Sequence, residues 1–149
     1  MTAQDSGLPG IAHAIQLAVA PVFLVSGVGA LLAVLTHRLS RIIDRARLIE
    51  AALASPIADA HMRTELAALS RRAGLINRAI GLATTCALLI CSVITLLFVG
   101  AFASVDVSTV VGLVFIVAML ALIGGLLSFL REVQIAIRSL RIGAPPRIP

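Results

Sequence analysis

Three histidines, seven carboxylates and two cysteines are the chain's whole stock for acid–base, nucleophilic or metal chemistry. His13 and Gln16 lie three residues apart, so a helix would set them on one face. Within an apolar segment such a pair is where a proton relay or transport path would begin. Below Gln16 that face offers only Ser26 and Thr36, and no acid or base. Interfacial solvation of His13 and one interhelical hydrogen bond from Gln16 account for the pair better. Thr84, Thr85, Ser92 and Thr95 are expected to bond carbonyls of their own helix or of a neighbour, which is routine in membrane helices. Cys86 and Cys91 are five residues apart and face different sides of a helix, so they read as small buried hydrophobes. No Cys/His cluster with zinc spacing occurs. His13, His37 and His61 are spread too widely along the chain to complete a nucleophile–His–acid set. The sequence therefore assigns no catalytic, cofactor-binding or metal residue, and no cofactor.

Charge placement is more informative. All twelve basic residues are arginine, and the formal net charge is +5. Phe is the only aromatic type, and its five copies lie in apolar blocks, so nothing accompanies the arginines that would suggest nucleic acid. The composition is 60% apolar and 13% charged, with a mean hydropathy of +1.09. Soluble domains are nearer 45–50% apolar and about 25% charged, so long apolar blocks of this kind imply membrane spans.

Residues 1–9 are short and polar and form an external N-terminus; with no basic residue before Arg38, no cleaved signal is expected. Residues 10–36 carry no formal charge and form the first span. Pro21 should bend it. Ser26 with Ala30, and Gly29 with Ala33, are small-xxx-small pairs that suit close helix packing, either within the chain or between copies. Residues 79–130 hold one formal charge, Asp106, and divide into spans at 80–102 and 109–130 around an external turn at 103–108. Gly112, Gly124 and Gly125 in the third span are sites of close packing or bending.

Between the first two spans, residues 37–79 hold eight arginines and two heptad seams. Leu35, Leu39, Ile42, Ala46, Ile49 and Leu53 form one; Met62, Leu66, Leu69, Ala73, Ile76 and Ile80 form the other. Ser55 caps the second arm, with Pro56 at its first position and Asp59 in its first turn. Folding the arms antiparallel about Ser55-Pro56 matches residues whose numbers add to about 111, such as Ile42 with Leu69. That register sets Arg45 beside Glu65 and Glu50 beside Arg63.

Beyond the third span, Leu126, Leu130, Val133, Ile137 and Leu140 continue a heptad to about Ile142, and the proline-rich end stops it. This amphipathic tail, within residues 131–149, could join the hairpin as a third helix or lie flat at the interface. Arginines sit between the first two spans and in the tail, with none outside, so the positive-inside rule places hairpin and C-terminus in the cytoplasm. Arg38, Arg41, Arg78 and Arg131 mark the inner membrane surface, where Glu132 is the only acid. Glu132 could pair with Arg78 or Arg38 and lock the helices, while the arginines contact anionic lipid headgroups.

The stretches Ala14-Ile15-Gln16-Leu17-Ala18, Ala20-Pro21-Val22-Phe23-Leu24-Val25-Ser26-Gly27, Arg38-Leu39-Ser40-Arg41-Ile42-Ile43-Asp44-Arg45-Ala46-Arg47 and Leu75-Ile76-Asn77-Arg78-Ala79-Ile80 are together distinctive. In them the chain resembles the bacterial membrane-protein family catalogued as domain of unknown function 2721, over roughly residues 12–140. The resemblance implies a three-span protein of the bacterial inner membrane. It implies no activity, cofactor or site residue.

The expected fold is an all-α integral membrane protein. The first two of its three transmembrane helices extend into a cytoplasmic antiparallel helical hairpin, and an amphipathic C-terminal helix follows the third. The expected role is a non-enzymatic, self-associating scaffold whose hairpin meets its own copies or a cytoplasmic protein partner. The alternative is an oligomeric channel or transporter lined by Gln16, Ser26 and Thr36.

Overall fold

The computed structural model describes residues 7–53, 60–103 and 105–139. They form three long helices: α1 (Gly7–Leu53, 47 residues), α2 (Ala60–Ala103, 44 residues) and α3 (Ser108–Ser139, 32 residues). At 1.5 Å per residue these are roughly 70, 66 and 48 Å long, against about 30 Å of bilayer hydrocarbon. All three are long and apolar enough to cross a membrane. Each also continues into arginine-bearing sequence with no break, and α1 runs unbroken across Pro21. The expected cap and turn at Ser55, Pro56 and Asp59 lie outside the described residues.

α2 is the central element and packs against both α1 and α3. Two clusters make the core. In the arginine-rich part, Leu35, Ile42 and Ile49 of α1 meet Leu69, Ile76 and Ala79 of α2. The intervening heptad residues Leu39, Ala46, Leu53, Met62, Leu66, Ala73 and Ile80 pack around them. Large aliphatic side chains suit this region if water surrounds it, since each fully buried one contributes roughly 1.5–3 kcal/mol. The second cluster is Val28, Ala83, Cys86, Ile90 and Ala118, with larger residues such as Leu24, Leu32, Leu89 and Leu122 packed against it.

The face of α3 turned to its neighbours differs from the expected one. Leu126, Leu130 and Ile137 are exposed, whereas Ala118, Gly125, Glu132 and Ala136 are buried. The inward seam is therefore displaced by one position, from 126, 130, 133 and 137 to 125, 129, 132 and 136, with Phe129 packed on the first cluster. The physical reason lies at Gly125. A Cβ there would sit 3.3 Å from the Ala79 carbonyl oxygen and 3.5 Å from Leu82 Cβ, so the backbones of α2 and α3 nearly touch. Leucines cannot occupy such a contact, and they turn outward instead.

Between α2 and α3 the chain reverses tightly. Val105 N–H donates to the Gly100 carbonyl at 3.3 Å, and a Cβ on Gly100 would lie 2.5 Å from Val107 Cγ2. Asp106 accepts from the Ser108 backbone N–H at 3.0 Å and from its hydroxyl, and so caps α3. These two bonds hold the Asp106 carboxyl below its ordinary value of 3.8.

Candidate functional site

Glu132 is the one charged residue that the described structure buries completely. It stands one position after Arg131, on the inward seam of α3, where the apolar block gives way to charge. Arg72 of α2 donates to its Oε1 through Nε at 3.1 Å and Nη2 at 2.9 Å. Arg38 of α1 places Nη1 3.1 Å from Oε2, an ion pair without a well-aligned hydrogen bond. The Arg38 guanidinium also lies over the Phe129 ring, 5.3 Å from its centroid. One carboxylate thus joins all three helices at one level. A buried carboxylate without such partners would carry a large desolvation cost, so the two arginines and this geometry belong together.

Arg78, the other partner considered for Glu132, is exposed and makes no ion pair. Arg72 takes that place, and the sequence contains the signal for it. A register near 111 brings Arg72 level with Arg38, on the helix flank beside Ala73.

Farther along α1, Arg45 binds Glu65 of α2 through Nε at 3.0 Å and Nη2 at 2.8 Å. Both side chains keep much of their surface in solvent, 57% and 34%, so the pair fixes register more than it stabilises. Glu50 and Arg63 do not pair, although both line one shallow groove. The two observed pairs match residue numbers adding to 110 (45 with 65, 38 with 72) and lie on one flank of the seam, while Glu50 and Arg63 lie on the other.

Ser26, Gly29, Ala30 and Ala33 are all exposed on α1, and a Cβ at Gly29 would meet nothing within 4 Å. They do not pack against this chain's own helices, because α1 faces α2 through Val28, Leu35 and Ile42 instead. Gln16 and Thr36 are exposed as well, and Pro21 is half-buried. Ser26 donates to the Val22 carbonyl at 3.3 Å, and Thr36 to those of Leu32 and Ala33 at 2.8 and 3.1 Å. Thr85, Ser92 and Thr95 likewise donate to carbonyls one turn back. Cys86 is buried and Cys91 exposed, both free. Among the described residues no three of His, Cys, Asp and Glu converge on a point.

Three long apolar helices, packed side by side and tied by an ion cluster where their charge begins, have the architecture of a multi-pass membrane protein. Residues 18–142 match the family described as "Protein of unknown function (DUF2721)", and the chain belongs to that family. No curated protein and no solved structure matches the chain.

Proposed function

We propose that this protein is a non-enzymatic, self-associating scaffold of the bacterial inner membrane, with N-terminus outside and C-terminus in the cytoplasm. The arginine-rich parts of α1 and α2 form an antiparallel coiled-coil hairpin, and α3 joins it as a third helix. Residue numbers support this arrangement: they rise on α1 as they fall on α2, from 38 with 72 to 45 with 65. They behave the same way between α2 and α3, where 79 meets 125 and 72 meets 132. The resulting rod is the contact surface for other copies or for a cytoplasmic protein.

The observation that carries the reading is the use of Glu132. The one buried charge in the described residues is spent on holding three helices together. The small residues of α1, exposed and with open space at Gly27 and Gly29, supply a face for a second copy. The channel alternative draws less support, since the Ser26 and Thr36 hydroxyl donors are already taken by their own helix.

Reconstitution into liposomes tests the choice. A scaffold leaves ion and small-solute fluxes at the level of protein-free liposomes while migrating as an assembly larger than one chain. A flux that rises with protein content and falls on Gln16→Leu would replace the scaffold by the channel.

A further inference from the structure

Three of the described arginines, Arg38, Arg45 and Arg72, hold a carboxylate. Arg71, Arg78 and Arg131 have no carboxylate partner, and all three line one groove of about 560 Å³ between α2 and α3, together with Gln134. Among the described residues no acid lines that groove, whereas the comparable hollow on the α1 side contains Glu132. Three uncompensated guanidinium groups facing one concavity repel one another, and an anion relieves that repulsion. Guanidinium forks match phosphate oxygens geometrically, and the Gln134 amide adds a neutral donor.

Position narrows the ligand further. Arg78 directly precedes the apolar run that begins at Ala79, and Arg131 directly follows the run that ends at Leu130. If those runs span the bilayer, the groove lies at headgroup depth. Leu75 and Ile135 add apolar wall beside the charges, suited to the glycerol and first methylenes of a lipid. We propose that this groove is a phosphate-binding site for an anionic phospholipid, a reading that rests on the membrane topology proposed above. The tie from Arg72 to Glu132 belongs to the same pair of helices and keeps the groove's two walls at fixed separation.

Gly74 provides a charge-neutral way to block the site. It lines the groove, and a Cβ there would meet nothing within 4 Å, so Gly74→Leu fills space without disturbing packing. The experiment measures lipid retained by the full chain in uncharged detergent, by native mass spectrometry, after exposure to equimolar phosphatidylglycerol and phosphatidylcholine. Wild type should keep phosphatidylglycerol selectively. R71Q/R78Q/R131Q should lose that selectivity by on the order of a hundredfold, about a factor of five per arginine. G74L should lose it without any change of charge, and R45Q/R47Q/R63Q, farther along the hairpin, should retain it. Equal loss in R45Q/R47Q/R63Q, or full retention in G74L, would reduce the effect to diffuse charge and overturn the site. Inorganic phosphate titrated onto the lipid-free protein is the second arm. If it binds in wild type and not in G74L, while no lipid is selected, the groove takes soluble phosphate and the lipid assignment fails. Membrane fractionation of the same variants reads membrane insertion separately, so loss of the site is distinguishable from failure of the membrane reading.

Discussion

Arg72 donates twice to one oxygen of Glu132, at 3.1 and 2.9 Å, and the carboxylate it holds has no exposure to solvent. Arg38 on α1 approaches the other oxygen, so removing the carboxylate leaves two guanidinium groups facing each other. Glu132→Ala should cost about 3 kcal/mol, the low end for breaking a buried pair, because both arginines keep partial exposure. Glu132→Gln should cost less, since an amide oxygen still accepts from Arg72. Thermal unfolding in detergent checks the order, and an unchanged midpoint for Glu132→Ala would contradict the clamp.

The charge exchange at the second level isolates register. Arg45→Glu and Glu65→Arg should each destabilise slightly, and the double exchange should recover most of the loss. The coupling should be about 0.2–1 kcal/mol, as for other exposed pairs. The same cycle on Glu50 and Arg63 should give no coupling, because their side chains do not meet. Equal couplings in the two cycles would contradict the register.

Glycines separate contacts within the chain from contacts outside it. Gly125→Leu should disrupt α2–α3 packing, since even a Cβ there is held between the Ala79 carbonyl and Leu82. Gly29→Leu should leave the unfolding of an isolated chain unchanged and alter only the size of its assembly. Unfolding and size-exclusion profiles of the two variants read these effects side by side.

The cap at Asp106 gives a pH dependence with a definite sign. Its carboxyl is lowered in the folded state by the Ser108 hydroxyl and backbone bonds. The contribution is therefore fully present above its ordinary value of 3.8 and lost as pH falls through the lowered folded value. Amide exchange near Ser108 should quicken below that value in wild type and be quick at all pH in Asp106→Ala. A pH-independent protection at Ser108 would remove the cap.

Much of this organisation was legible in the chain. The two heptad seams mark the residues that pack together: every seam residue from Leu35 to Leu53 and from Met62 to Ile80 falls in one core cluster. The face of α3 was not legible from apolar periodicity. The inward positions hold Ala118, Gly125 and Ala136 together with Phe129 and Glu132, one position off the seam of large apolar residues, and the close approach at Gly125 sets that phase. The role of Arg72 was obscured for a related reason. Eight arginines crowd residues 37–79, and only helix phase, fixed by partners on two other helices, distinguishes the one that reaches Glu132. The outward direction of Gly29 and Ala33 follows from which face of α1 meets α2, a fact of tertiary packing that residue types do not contain.

Self-association through the outward face of α1 is tested most directly by cysteine crosslinking in native membranes. The background is Cys91→Ala, because Cys91 is exposed and Cys86 is buried. Gly29→Cys and Ala33→Cys should each give a crosslinked dimer on mild oxidation, whereas Leu113→Cys, exposed on α3, should not. Monomer at both α1 positions, together with a single-chain mass in detergent, would contradict the scaffold.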